Sequence, residues 1–363
     1  MAEAADTDEG GKGFFSGRSV AFWTVIGSVA TVLSLLVTIL TLLAPRTSVP
    51  AQQQGPPDQI HPGGHTPRLA GSITVAGSPS SLAMAPDGRH VYVTHSSGTM
   101  SVIDTATNTV TDTIDVGYGA LGIAITPDGR HAYVAHWASA ILSVIDTVTN
   151  TTTATVNVGR AQWDVKMTPD GRWIYVTNRG FGTVSVIDAA TNRVTAMVEV
   201  EGDPADNPVG VAVTPDGRRA YVTNRGSGTV AVIDVATNTV TNAIRVQSGP
   251  NAVAVAPNGR YAYVTNEGAA TVSVIETTTN TVTATVNVGN APITVAVAPN
   301  SRRAYVVNRG YRALSVIDTA TDTVTATVDL GGDPGAVVVT PDGAHVYVTN
   351  SGTSTVSVID TGT

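Results

Sequence analysis

The 363-residue sequence contains no cysteine. This excludes disulfide bonds, thiolate metal sites, a cysteine nucleophile and a lipid anchor on cysteine. Charged residues make up only 13 % of the chain, about half of the usual share, which excludes a coiled coil and a solvated disordered chain. The formal net charge of −8 offers no basic face, so no nucleic-acid partner is predicted.

A long uncharged run lies near the N-terminus. Residues 1–18 form a short polar tail, and no charged residue occurs in 19–45. As a helix, residues 20–44 would span roughly 37 Å, enough to cross a hydrocarbon core of about 30 Å. We therefore predict one transmembrane helix in 19–45, with the membrane as a partner through residues 20–44. A cleaved signal peptide is the alternative, and the Val-Pro-Ala sequence at 49–51 is a weak cleavage site for it.

The residues that flank this run set its expected orientation. Lys12 and Arg18 precede the run and Arg46 follows it, which favours an N-terminus inside the cell. Residues 46–68 are rich in proline, glutamine and glycine and are predicted to be a disordered, extended linker. The rest of the chain is then expected outside the cytoplasm, on the cell membrane as a single-pass protein, or secreted if the run is cleaved.

The remainder of the chain repeats about every 42 residues. Each unit begins with a Pro-Asp-Gly-like turn, and the seven prolines are Pro86, Pro127, Pro169, Pro215, Pro257, Pro299 and Pro341. Strands of valine, isoleucine, threonine and tyrosine follow, separated by turn residues, and no helical pattern occurs. A four-stranded unit of about 40–45 residues has the length of one propeller blade. Residues 69–363 are therefore predicted to be all-β, as a seven-bladed β-propeller of four-stranded blades.

The ends of the repeat region predict how the ring closes. The seventh unit reaches Asp360 without a fourth strand, and the segment before the first unit, residues 72–77, resembles the missing strand. We predict that this N-terminal strand completes the last blade, because pairing it removes an exposed sheet edge. Without cysteine, strand pairing is the means by which such a ring can be closed.

The second strand of each unit carries a recurring motif. It reads Tyr-Val-Thr-Asn at 175–178, 221–224, 263–266 and 347–350. Over about residues 70–363 the chain resembles the YVTN-repeat family of seven-bladed β-propellers. That family includes extracytoplasmic and surface-layer proteins and is similar to lactonase-like and quinoprotein-dehydrogenase-like propellers. The resemblance implies the fold and a bacterial or archaeal cell surface, whereas the relatives differ in their chemistry.

In a propeller, the loops that leave each second strand share one face with the loops that enter each first strand. This face surrounds the mouth of the central channel and is the default ligand site. Arg179, Arg225 and Arg309 occupy one repeat position on it, and Arg160 lies in an entering loop. Converging guanidinium groups suit a carboxylate, a phosphate or an anionic sugar. The alternative is that these arginines only decorate solvated loops, since the chain has 18 arginines and two lysines.

Two histidines interrupt the motif. His95 and His136 replace its asparagine in adjacent blades, with Trp137 following His136 and Trp163 on the same face. Two imidazoles can ligate a metal or serve as a base, but the spacing supplies no third ligand. Replacement of one hydrogen-bonding side chain by another is the favoured interpretation. No catalytic residue, metal or cofactor is predicted.

These observations lead to one preferred function and two alternatives. The preferred function is a membrane-anchored, extracytoplasmic module that binds a protein partner or a small anionic ligand on the mouth face. The first alternative is a lactonase-like or lyase-like enzyme that uses His95, His136 and acidic residues at the channel mouth. The second is a structural surface-layer or adhesion protein.

Overall fold

The computed structural model describes residues 66–200 and 207–363. These residues form seven antiparallel sheets of four strands each, so the fold is a seven-bladed β-propeller, as the repeat predicts. Within the described ranges, no helix is both long enough and apolar enough to span a bilayer. The polar tail at 1–18, the transmembrane helix at 19–45 and all but the last three residues of the linker at 46–68 lie outside the described residues and stay predictions.

The strands follow one another in chain order, from the channel outwards in blades 1 to 6. Blades 1 and 2 contain β2 (Pro79–Met84), β3 (His90–His95), β4 (Thr99–Asp104), β5 (Thr109–Asp115), β6 (Ala120–Ile125), β7 (His131–His136), β8 (Ile141–Asp146) and β9 (Thr151–Asn157). Blades 3 and 4 contain β10 (Gln162–Met167), β11 (Trp173–Asn178), β12 (Thr183–Asp188), β13 (Arg193–Glu199), β14 (Pro208–Val213), β15 (Arg219–Asn224), β16 (Thr229–Asp234) and β17 (Thr239–Arg245).

The second half of the ring repeats this order. Blades 5 and 6 contain β18 (Pro250–Val255), β19 (Tyr261–Asn266), β20 (Thr271–Glu276), β21 (Thr281–Asn287), β22 (Pro292–Val297), β23 (Arg303–Asn308), β24 (Ala313–Asp318) and β25 (Thr323–Asp329), with the 3-10 turn η1 (Arg309–Tyr311) after β23. Blade 7 contains β26 (Pro334–Val339), β27 (His345–Asn350), β28 (Thr355–Asp360) and β1 (Arg68–Thr74).

The turn between the third and fourth strands shows why this sequence folds into hairpins. In blades 1 to 6 the last turn residue has a φ of 53–55°, and it is Asn108, Asn150, Asn192, Asn238, Asn280 or Asp322. Asparagine and aspartate tolerate this left-handed conformation better than other side chains with a Cβ. The aspartate that opens the turn accepts its backbone N–H groups, as Asp104 Oδ1 does from Thr107 N at 2.8 Å. The repeated aspartates are therefore turn caps.

The hydrophobic core lies between the blades. Leu142 of blade 2 packs in one cluster with Ile174 of blade 3, and equivalent clusters occur at the other junctions. The inner strands of neighbouring blades also contact each other, including β26 of blade 7 and β2 of blade 1. Each blade buries its two faces against its neighbours, so the stability of the ring depends on the closure of the last junction.

The closing strand is β1, which pairs antiparallel to β28 from Arg68 opposite Asp360 to Thr74 opposite Thr355. The expected role of the N-terminal strand is therefore confirmed, but residues 72–77 misplace its bounds. β28 has six residues, and a bulge between Leu69 and Gly71 adds a seventh to β1, so the strand begins in the stretch predicted to be linker. It ends before Gly77, whose φ of 71° turns the chain into blade 1.

A hydrogen bond from the motif tyrosine links neighbouring blades. Tyr221 Oη donates to Asn280 Oδ1 of the next blade at 2.8 Å, and Tyr347 Oη donates to Asn108 Oδ1 at 2.8 Å across the ring closure. Tyr305 Oη is buried and makes no such bond to a turn residue of the next blade, and the side chains that interact with it are those of Arg303 and Thr361. Blade 7 offers it no hairpin turn, because its outer strand comes from the other end of the chain.

The two tyrosines form a matched pair for mutation. Tyr221→Phe is expected to lower the free energy of unfolding by about 1 kcal/mol, because it removes a buried hydrogen bond and leaves an acceptor unsatisfied. Tyr305→Phe is expected to change it by less than about 0.5 kcal/mol, since no hydrogen bond to a turn asparagine is lost. Urea titrations of both variants measure the difference, and equal losses would show that the inter-blade bond carries no stability.

Candidate functional site

One repeated backbone hydrogen bond fixes the backbone of the predicted arginines. The residue after the motif asparagine donates its N–H to the carbonyl of the residue that precedes the inner strand. Arg179 N donates to Ala161 O at 2.9 Å, and Arg309 N donates to Ala291 O at 3.0 Å. This bond holds the loop that leaves the second strand against the loop that enters the blade. The side chains that follow the motif therefore start at the channel mouth.

A cavity of about 400 Å³ occupies the central channel on this face. All seven inner strands contribute to its lining, mostly through small residues such as Ser80 and Gly335. Its ionisable residues are Asp164, Lys166, Arg179, Arg225, Glu267 and Arg309. The volume falls in the range typical of small-ligand sites, and its cations outnumber its carboxylates by four to two.

Two of the four cations are neutralised by the two carboxylates. Lys166 Nζ lies 2.9 Å from Asp164 Oδ1, and the Arg225 guanidinium pairs with Glu267 Oε2. Glu267 Oε2 also accepts from Asn251 Nδ2 at 2.8 Å. These contacts hold the carboxylates of Asp164 and Glu267 in place beside the cavity.

The ionisation state of Glu267 follows from its partners. Burial acts to raise the pKa of this carboxyl, but the hydrogen bonds from Arg225 and Asn251 and the charges of Arg225 and Arg309 outweigh it. The net result is a pKa below the usual value. Glu267 is therefore ionised at neutral pH and cancels the charge of its arginine partner.

Arg179 and Arg309 remain without a carboxylate partner. Among the described residues, no aspartate or glutamate lies within ion-pair distance of either guanidinium. Arg179 instead stacks on the indole of Trp163, with its Cζ 4.3 Å from the ring centroid. Burial lowers the pKa of Arg179 and the charge of Arg225 lowers it further, while Glu267 acts in the opposite direction. An anion bound in the cavity would relieve the uncompensated charge of these side chains.

The structure separates the remaining predicted site residues. Trp163 lines the cavity with the three arginines that follow the motif. Arg160 is exposed and is not part of the cavity lining. Trp137 lies on the same face outside the cavity, with its ring centroid 6.4 Å from that of Tyr118.

His95 and His136 are buried and do not line the cavity. His95 Nε2 lies 2.8 Å from Ser101 Oγ, and His136 Nε2 lies 2.9 Å from Ser143 Oγ. The motif asparagine makes the equivalent contact, as Asn178 Nδ2 donates to Ser185 Oγ at 2.9 Å. The histidines thus occupy the structural position of the asparagine inside the blade. Among the described residues, no group of three or more potential ligands is arranged to hold a metal ion.

Burial of the two histidines makes stability depend on pH. Burial lowers the pKa of His95 from 6.5 to about 4 and also lowers that of His136. The unfolded chain therefore binds protons at these sites before the folded chain does, so stability falls as pH drops from about 6.5 towards 4. Relative to wild type, we expect His95→Asn/His136→Asn to retain on the order of 2 kcal/mol more stability when pH drops from 7 to 4.5. Urea titrations at both pH values measure this, and parallel losses would contradict it.

Sequence reasoning missed Asp164 and Lys166. Both lie in β10, and no other inner strand contains a charged residue. Inner strands of a propeller face the channel with alternate residues, so charges in one of them are a usable signal. Glu267 occupies the same repeat position as the arginines, but its ion pair depends on a residue in the neighbouring blade.

Comparisons with known proteins agree on the fold. A family model described as lactonase, 7-bladed beta-propeller matches residues 237–362. A second, described as cytochrome D1 heme domain, matches residues 173–291. Each match spans roughly a third of the chain. No curated protein sequence matches the chain.

Two solved structures illustrate the same similarity. Kuenenia stuttgartiensis hydrazine synthase superposes with a TM-score of 0.71 at 24 % identity, covering 78 % of this chain and 95 % of the other. The Cps50 (Swd1) beta-propeller domain of Myceliophteria thermophila superposes with a TM-score of 0.70 at 11 % identity, covering 80 % of this chain and 98 % of the other. At these identities the likeness concerns the fold alone. With the family models, it places the chain among the seven-bladed β-propeller proteins. The narrower resemblance to the YVTN-repeat family stays a prediction.

Proposed function

We propose that this protein is a binding module that holds an anionic group at the mouth of its central channel. The observation that carries the proposal is the pair Arg179 and Arg309, which line one cavity without a carboxylate partner among the described residues. Carboxylates and phosphates are the groups that guanidinium forks bind best. The guanidinium of Arg179 stacks on the indole of Trp163, which restrains one of these two side chains.

The location of the module is part of the proposal. The uncharged run at 20–44 supports a single membrane anchor, and the flanking basic residues support a propeller outside the cytoplasm. A ring closed by strand pairing is compatible with that location, because it needs no disulfide. The proline-rich segment would then let the mouth face stand away from the membrane.

Calorimetric titration of the purified chain with inorganic phosphate and with citrate tests the proposal. We expect binding that weakens with salt, and about a tenfold loss of affinity in Arg309→Gln, since one charge-assisted hydrogen bond contributes about 1.5–3 kcal/mol. Arg160→Gln is the matched control and is expected to change affinity less than twofold. The proposal fails if neither anion binds in the millimolar range, or if both variants lose affinity equally.

A lactonase-like enzyme is the second candidate. The family model for the lactonase propeller, which covers residues 237–362, favours it, and Glu267 lies in the matched segment at the cavity. His95 and His136, the candidate bases for such a reaction, are buried and form hydrogen bonds with serines. Opening of a lactone would therefore depend on a cavity carboxylate. A hydrolysis assay with gluconolactone supports this function only if turnover is lost in Glu267→Gln.

A further inference from the structure

In the part of the chain that the structure describes, exposed aromatic side chains lie on the mouth face. Among the described residues, the large exposed aromatics are Tyr118, Trp137, Phe181 and Tyr311, with 67 %, 48 %, 56 % and 67 % of their surface accessible. All four lie in loops that enter an inner strand or leave a second strand, and we name this set the aromatic rim. The other large exposed apolar residues are aliphatic and lie on outer or third strands or in the opposite turns: Leu69, Val110, Ile141, Val148, Met197, Val240, Val282 and Val324.

Backbone contacts hold the aromatic rim in place. Trp137 N donates to Gly119 O at 3.0 Å, and its indole is tilted by 55° against the phenol ring of Tyr118. The ring of Tyr311 packs on Gly289 so closely that a Cβ atom at this glycine would lie 2.9 Å from the ring. Loops that are ordered before binding lose little conformational entropy when a partner arrives.

The aromatic rim extends beyond what a small anion can contact. None of its four residues lines the cavity, so phosphate held between Arg179 and Arg309 would leave the rim uncovered. Tyrosine, tryptophan, phenylalanine and arginine are enriched in protein interfaces, and tryptophan, tyrosine and arginine are enriched in their energetic hot spots. The face therefore combines a cationic centre with an apolar surround, and such a surface fits a partner that supplies both a negative charge and apolar side chains.

We propose that the mouth face docks an acidic segment of a partner protein, in addition to binding free anions. A carboxylate of the segment enters the cavity between Arg179 and Arg309, and neighbouring apolar side chains of the same segment cover Tyr118 and Trp137. This inference rests on the proposed anion site and adds the class of partner that presents the anion. Charge complementarity supplies the orientation, and burial of the rim supplies affinity.

The test uses the purified full-length chain in a neutral detergent and three probes. The first is a blocked hexapeptide that alternates glutamate with leucine, the second is inorganic phosphate, and the third is a trimer of galacturonic acid with the same charge as the peptide. Tyr118→Ala/Trp137→Ala is expected to weaken peptide binding at least tenfold and phosphate binding less than twofold. Val148→Ala, an exposed residue in an opposite turn, is the control and is expected to change neither.

The outcomes separate this inference from the proposed function. If phosphate does not bind wild type, the proposed anion site is wrong, and the inference fails with it. If phosphate binds but the rim variant keeps full affinity for the peptide, the docking surface is wrong and the anion site stands. If the galacturonate trimer binds as tightly as the peptide and loses the same affinity in the rim variant, the partner is a polysaccharide and the protein segment is overturned. Phe181→Ser provides a second rim variant, checked for folding by its thermal midpoint.

Discussion

Ile73→Asp is expected to lower the free energy of unfolding by at least about 4 kcal/mol, because it places a charge where the ring closes. Ile73 is 6 % exposed and packs in one cluster with Leu82 of blade 1 and Tyr347 of blade 7. An unpaired carboxylate there must either lose its hydration or expel β1 from β28. Without β1, blade 7 exposes a bare edge and the junction with blade 1 loses its cover.

The neighbouring residue provides the control for this substitution. Ser72 lies in the same strand and is exposed, because successive side chains of a strand point to opposite faces. Ser72→Asp adds the same charge and is expected to change stability by less than about 0.5 kcal/mol. Urea denaturation followed by tryptophan fluorescence measures both variants. Equal effects would mean that β1 does not need its apolar face to close the ring.

Arg179→Gln/Arg309→Gln is expected to reduce phosphate affinity more than about 100-fold, since it removes two charge-assisted partners. Glu267→Gln is expected to act in the opposite direction and to raise affinity about fivefold to tenfold. Glu267 neutralises Arg225 in the folded protein, and its loss leaves a third guanidinium uncompensated beside the cavity. One variant removes positive charge from the cavity and the other removes negative charge, so together they test whether the net charge of the cavity sets its phosphate affinity.

A change in net charge alone must be separated from this local effect. Arg89→Gln/Arg130→Gln also removes two positive charges, but from exposed turns on the opposite face. This double variant is expected to change phosphate affinity less than twofold at physiological salt, because exposed charges more than about 8 Å from the ligand are screened there. Calorimetric titrations of the three variants at one ionic strength provide the comparison. A similar loss in both arginine pairs would show that the cavity has no special role.

Much of the fold follows from the sequence because its causes are local. The Pro-Asp-Gly turns, the asparagines that adopt positive φ and the alternation of valine with polar residues each act within a few residues. With seven of the first turns and six of the asparagine or aspartate turns, they determine the number of strands, their order and the incomplete last blade. The role of the N-terminal strand followed in the same way, whereas its bounds at Arg68–Thr74 depend on the length of the partner strand that it covers.

The candidate site was determined partly by the sequence and partly by the way the blades pack around the channel. Equivalent repeat positions were enough to bring Arg179, Arg225 and Arg309 to one cavity. Only the tertiary structure decided which of them carries uncompensated charge, because Arg225 and Glu267 belong to neighbouring blades and meet through the rotation between them. It also separated His95 from these arginines, although His95 ends a second strand and the arginines stand only one residue beyond the equivalent position. A shift of one residue in a strand turns a side chain from the channel into the blade interior, and contacts made there depend on the packing of the whole ring.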